Sequence, residues 1–261
     1  MYNEHPVKLD ITGTIETISH IDKEVLYNCY NTFYNPSNMV LVVCGDFEPE
    51  EILKEIENRL LDKKSEGEIK RIYPTESEEI VQPTINQNME VSMPLFTIGI
   101  KDKPAEEKEK VKKHIAIEIL LNLILGRSSD LYKELYNEGI IFAQPSLEYE
   151  FTSDYAHILI TGQATNPEEL FDRFKSKINE IKQNGINEND FDRIKKMIYG
   201  GYVKEYNDVA EIARMFLSDS FKGINSFDYI EEIGSVNAQY GMQVLDTVFN
   251  DDKMVLSTVK K

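Results

Sequence analysis

The sequence predicts an α+β fold, a mainly antiparallel sheet packed with helices, and three observations predict it. Short apolar, β-branched runs and longer segments of helical period follow one another without a regular strand–helix–strand alternation. The longest helical stretch, residues 167–221, is grouped between strand signals rather than interleaved with them. Third, the helix-then-strand pattern of residues 15–43 returns near the end of the chain.

The repeat holds one register. Ile15, Glu16 and Ile18 recur as Ile230, Glu231 and Ile233; Thr32 and Asn35 as Thr247 and Asn250; Met39, Val40 and Leu41 as Met254, Val255 and Leu256. Each pair lies 215 positions apart, the size of a whole domain and far beyond the roughly 20 to 50 residues of a solenoid unit. The position matching Met1 is 216, so the first copy lacks what residues 77–215 supply to the second. We therefore expect residues 1–62 to be the carboxy-terminal half of a first domain, residues 63–79 a linker, and residues 80–261 a complete second domain. Half a domain cannot close a sheet. Residues 1–62 are expected to pack against the second domain, pair with a second copy, or fray.

Along the chain, Asp22 caps a helix with apolar positions Val25, Leu26, Cys29, Tyr30 and Phe33, and Pro36 ends it. Residues 39–44 are a β-branched run expected as a buried strand closed by Gly45. Glu48-Pro49-Glu50-Glu51 opens the next helix, because proline tolerates the first helical position and acids suit the positive end of the dipole. Its stripe is Ile52, Leu53, Ile56, Leu60 and Leu61. The charged stretch 63–79 holds Gly67 and Pro74 and shows neither period. The second domain opens with a strand at 90–101 and a largely buried helix at 109–125, stopped by Gly126. A further helix starts at Ser129 or Asp130 and ends at Gly139. Residues 146–164 read as one long or two short strands turning near Asp154. Helices follow at 167–183, 188–198 and 203–221, broken at Gly200-Gly201, and the chain closes with a helix at 237–249 and a strand at 254–259.

Composition sets limits on partners. With 46 acidic against 29 basic residues the formal charge is −17, a surface that repels a phosphate backbone, so no nucleic-acid partner is expected. The two cysteines, Cys29 and Cys44, lack metal-type spacing and read as reduced and buried, which suits a cytoplasmic protein. The amino terminus has no apolar signal core. No membrane association is expected, since the longest apolar run, residues 115–125, is interrupted by Glu118 and Asn122 and is too short to span.

None of the four histidines, His5, His20, His114 and His157, belongs to a metal pair. Glu4-His5 would end a His-x-x-Glu-His motif, but Met1 occupies its first position and is a poor zinc ligand. His114 and Glu118 stand one helical turn apart and read as a helix-surface pair. Gly126-Arg127-Ser128-Ser129 lacks the phosphate-loop pattern and follows a helix, so a glycine stop and a serine cap explain it. No G-x-S-x-G elbow presents a serine nucleophile.

The run HPVKLDITGTIETISHIDKEVLYNCYNTFYNPSNMVLVVCGDF, residues 5–47, resembles the closing half of a catalytic domain in the insulinase, pitrilysin and mitochondrial-processing-peptidase family of inverzincin zinc peptidases. Residues 125–135, LGRSSDLYKEL, resemble that family's G-x-x-S-S-x-L-x-x-x-L segment, and the likeness is nearest to Gram-positive bacterial members thought to work as pairs of metal-bearing and metal-free subunits. The resemblance implies two homologous α+β domains closing over a peptide, with zinc, its ligands and the general-base Glu in the first half of the first domain. No metal or catalytic residue can therefore be carried onto this chain, and zinc is expected in the part of the parent that precedes it. In the second domain the family often has L-R-E-x-x-G-L-x-Y, whose Arg and Tyr face the substrate. Here Tyr136 stands for the Arg and Phe142 for the Tyr; neither supplies a cation or a hydroxyl, so as substrate-binding residues they would shape the cavity.

The expected function is thus the carboxy-terminal part of a zinc-dependent peptidase, forming the non-catalytic wall of a peptide chamber and inactive alone. The alternative is a non-catalytic scaffold or binding subunit that pairs with an active homologue. Expected partners are a peptide substrate and either the upstream region or a homologous peptidase subunit, with a homodimer as a further expectation.

Overall fold

A computed structural model describes residues 1–59 and 69–261. Leu60, Leu61 and the first part of the expected linker, residues 63–68, lie outside the described residues. In chain order the helices and strands are α1 (Ile15–Ser19), α2 (Lys23–Phe33), α3 (Pro49–Arg59), β1 (Thr84–Asn88), β2 (Leu95–Asp102), α4 (Lys110–Leu125), α5 (Asp130–Asn137), β3 (Ser146–Phe151), β4 (Ala156–Gln163), α6 (Pro167–Asn184), α7 (Glu188–Glu205), α8 (Val209–Lys222), α9 (Asp228–Glu232), α10 (Ala238–Val248) and β5 (Met254–Lys260).

The α+β class holds, with a mixed sheet of five strands ordered β1-β5-β2-β4-β3. Only β1 runs parallel to its neighbour; the β2–β5, β2–β4 and β3–β4 pairs are antiparallel. Register stacks apolar residues across the strands, with Ile98 opposite both Ile160 and Leu256, and Ile100 opposite both Ile158 and Met254. All six are buried, as a sheet face covered by helices requires. Helix α4 buries Val111, Ile115, Ile117, Ile119, Leu120 and Ile124 among others, on more than one face, which makes it the central helix of the layer. It touches α5, α6, α7, α9 and α10, and α6 and α10 also pack on the sheet.

Start and stop signals agree closely with the sequence. Asp22, Ser129 and Asn237 each cap a helix, the hairpin of β3 and β4 turns at Asp154, and Gly139 takes a left-handed φ of 72° just past α5. Four expectations are corrected. Residues 39–44 form no strand and are largely exposed, because no described strand lies beside them, whereas their counterpart β5 sits between β1 and β2. Cys29 is exposed and Cys44 only half-buried for the same reason, both as free thiols. The helix expected to break at Gly200-Gly201 continues to Glu205, and the chain turns instead at Asn207, after which Asp208 caps α8. The strand expected from residue 90 begins at Leu95, and β1, whose TINQN sequence carries no alternation, was unread.

Residues 1–59 hold three short helices and no strand, and only Tyr2, His5 and Asn35 among them are buried. The repeat register nevertheless survives in three dimensions, since α2 spans 23–33 and α10 spans 238–248. The amino-terminal end is fastened to the sheet. The Tyr2 hydroxyl donates to the Ala156 carbonyl at 2.9 Å and lies 3.0 Å from His157 Nδ1, while the Tyr73 ring lies tilted 4.7 Å from that of His5. Residues 69–79, expected as a plain linker, thus take part in an anchor.

Candidate functional site: a cavity lined by carboxylates and tyrosines

Between α4, β3, the end of α7 and α8 lies a cavity of about 650 Å³, within the size range of small-ligand sites. His114 and Glu118, four apart on α4, point into it one turn from each other. They do not pair with each other, which corrects the expectation of a helix-surface pair. Glu118 Oε2 accepts the Tyr202 hydroxyl at 2.5 Å, a charge-assisted bond between residues 84 positions apart. His114 Nδ1 shares a hydrogen bond of 2.8 Å with the Tyr229 hydroxyl.

Local sequence explains how α7, α8 and α9 deliver these groups. Tyr202 and Tyr206 are four apart near the end of α7, so both rings face the same side. Asp208 accepts the N–H groups of Ala210 and Glu211 and starts α8 immediately afterwards. Gly223 ends α8 at φ 70°, a left-handed conformation that turns the chain back so that the Ser226 hydroxyl reaches Asp219 Oδ2 at 2.8 Å.

Burial governs the ionisation of the lining. It pushes the Glu118 carboxyl above the usual range, partly offset by the Tyr202 bond and reinforced by Glu205. Glu205 is raised by burial, Glu211 and Asp219, and Asp219 by burial despite Ser226 and Lys222. His114 falls to about 3 through burial and the nearby Lys222, so it is neutral at pH 7. The Tyr202 and Tyr229 hydroxyls are pushed well up by burial and neighbouring carboxylates and remain protonated donors.

The substrate-facing residues expected from sequence lie elsewhere. Tyr136 is exposed near the end of α5, its ring 6.0 Å from that of Tyr132, and Phe142 is exposed just beyond the buried Ile140 and Ile141. Neither lines the cavity. His5 is buried and caps a short turn by accepting the Val7 N–H, His20 is exposed, and His157 is buried between Tyr2 and Glu150. Among the described residues no three His, Cys, Asp or Glu side chains are placed to hold a metal ion. Sequence reasoning missed Tyr202, Asp219 and Tyr229, whose only local signal was helical spacing.

Residues 20–198 match the family described as the Peptidase M16 inactive domain. The chain belongs to the M16 peptidase family. An uncharacterised zinc protease of Bacillus subtilis, YmfH, is 30% identical over 265 residues, covering 99% of this chain and 61% of that protein. The crystal structure of an M16-like peptidase from Alicyclobacillus acidocaldarius superposes with a TM-score of 0.91 at 31% identity, over 100% of this chain and 63% of that one. A protease from Helicobacter pylori shares the fold, with a TM-score of 0.86 at 17% identity over 100% of this chain and 64% of that one. The M16 chain described here therefore spans about three-fifths of the length of these relatives. None of its described helices is long and apolar enough to cross a membrane.

Proposed function

We propose that this chain is the carboxy-terminal portion of a zinc-dependent M16 peptidase of the insulinase and pitrilysin type, in cytoplasmic use, and that residues 80–261 form the non-catalytic wall of its peptide chamber. The observation that carries the reading is the match to an inactive M16 domain by a chain that covers 61% of a relative named as a zinc protease. The repeat supports it. Helix α10 buries Val244, Leu245 and Val248 against α4, α6 and β2, while the matching face of α2 lies open beneath a hollow of about 740 Å³ lined by Leu26, Tyr27, Tyr30 and Phe33. A face of that kind needs the counterparts of α4, α6 and β2, and an upstream half-domain would supply them.

Bond cleavage is then the task of upstream residues, and this chain contributes binding surface, in which Tyr136 and Phe142 remain proposed contacts. The test is hydrolysis of a mixture of unstructured peptides, followed by mass spectrometry, together with elemental analysis of the purified chain. The chain alone should leave the peptides intact and carry no stoichiometric zinc; the longer protein should cleave them and carry zinc. Cleavage by the isolated chain would overturn the reading. The family's description as inactive favours a second one, a scaffold that binds an active homologue, and the two part on whether the upstream sequence contains His-x-x-Glu-His.

A further inference from the structure

The cavity beside α4 has an electrostatic imbalance. Six carboxylates line it against two cations, and both cations are already engaged, Arg214 with Glu211 and Lys222 over the Phe151 ring at 4.8 Å. Two of the carboxylates are half spoken for. Asp219 is only 6% exposed; its Oδ2 takes the Ser226 hydroxyl, while Oδ1 has no hydrogen-bond partner among the described residues and is not sealed from the cavity. Glu118 repeats the arrangement, with Oε2 held by Tyr202 and Oε1 open. Neither has a described cation within salt-bridge distance. Buried charges of this kind are ordinarily paired.

We propose that this cavity is a binding site for the side chain of a basic residue, Lys or Arg, in a bound peptide, with Glu118 and Asp219 as its anionic anchors. An ammonium or guanidinium group supplies the donors that Oε1 and Oδ1 lack. Tyr149, Tyr202, Tyr206 and Tyr229 also line the cavity, and phenol rings attract a cation. A divalent metal is a poorer occupant, because no three ligating side chains converge among the described residues. Burial raises both carboxyls, and at Asp219 the bond from Ser226 and the charge of Lys222 offset only part of that rise. The inference takes from the proposed function only that the ligand is a peptide.

The test is a backbone amide NMR titration of the isotope-labelled chain with the heptapeptide Gly-Gly-Gly-Arg-Gly-Gly-Gly, and with the same peptide carrying the uncharged isostere citrulline. The arginine peptide should shift amides around Glu118, Tyr202 and Asp219 saturably, and the citrulline peptide should bind at least tenfold more weakly. Glu118→Gln and Asp219→Asn, each with a spectrum that keeps the wild-type dispersion, should weaken the arginine peptide at least threefold. Equal binding of the two peptides would overturn charge recognition while leaving the chamber reading intact. Shifts confined to other surfaces, or unaltered binding by both variants, would remove the cavity as the site.

Discussion

Glu76 and Lys101 form an ion pair of 2.6 Å with side chains only 13% and 5% exposed, and that pair fastens the amino-terminal segment to strand β2. The Glu76 carboxylate also accepts the N–H groups of Asn3, Glu4 and His5 at 2.7 to 2.9 Å, while Lys101 donates further to the carbonyls of Glu79 and Met1. Burial opposes ionisation of Glu76, but the Asn3 N–H, Lys101 and the His5 and Glu4 N–H groups outweigh it and hold the carboxyl at about 2. A carboxyl depressed in the folded state stabilises it above the unfolded value and loses that contribution as pH falls toward the folded one. Stability from this pair is therefore present above about pH 4.5 and drains away toward pH 2. Glu76→Ala strands a buried ammonium and should cost about 3 kcal/mol at pH 7. Urea unfolding of wild type and variant at pH 7 and pH 3 checks both statements, because the difference between them should shrink at the lower pH.

His114 should not titrate in the ordinary range. Its folded value of about 3 lies below the usual 6.5, so the neutral ring stabilises the fold above pH 6.5 and that contribution is lost progressively as pH falls toward 3. Its ring proton shift in NMR should stay flat from pH 7.5 down to pH 4.5. A midpoint near 6.5 for His114 would place the ring in solvent and contradict the cavity geometry.

The repeat allows a paired mutation test. Phe33 on α2 and Val248 on α10 occupy the same register, yet they are 47% and 1% exposed. A phenylalanine normally costs more to truncate than a valine. Here the order should invert, with Val248→Ala losing about 2 kcal/mol and Phe33→Ala under about 0.5 kcal/mol in thermal or urea unfolding. In the longer protein Phe33→Ala should become costly as well.

Gly126 is required by contact rather than by φ. A Cβ there would sit 2.4 Å from the Asn122 carbonyl oxygen, which caps the end of α4 by accepting the Gly126 N–H at 3.0 Å. Gly126→Ala should cost about 1 to 3 kcal/mol and loosen the start of α5. Amide exchange should quicken at Ser129 and Leu131 before it does in β2.

The sequence carried most of the local structure because its signals are local. Asp22, Ser129 and Asn237 each cap a helix from the position where the residue type predicts a cap, and the Met254 run is a strand as its β-branched content implies. The run at Met39, which shares its first three residues with that strand, is not a strand, since strand formation depends on neighbours that composition cannot supply. β1 was hidden because TINQN is an exposed edge, paired in parallel with β5 and lacking an apolar face. Gly200-Gly201 misled because both glycines sit on exposed turns of a helix held elsewhere by Phe191, Ile194 and Ile198. The cavity was illegible for a different reason. Its bonds join Glu118 to Tyr202 and His114 to Tyr229, pairs 84 and 115 positions apart, and no periodicity within a segment records them.

The habit of tyrosine hydroxyls resting on carboxylates, seen for Tyr202 and Glu118, recurs between Tyr149 and Asp102, Tyr155 and Glu150, and Tyr240 and Glu109. The chain has 14 tyrosines and no tryptophan, so its ultraviolet emission comes from phenol rings alone. A phenol that donates to a carboxylate emits weakly. The folded chain should therefore emit less than the unfolded one, and the four pairs, two between helical segments and two within the sheet, would report on whether those contacts hold.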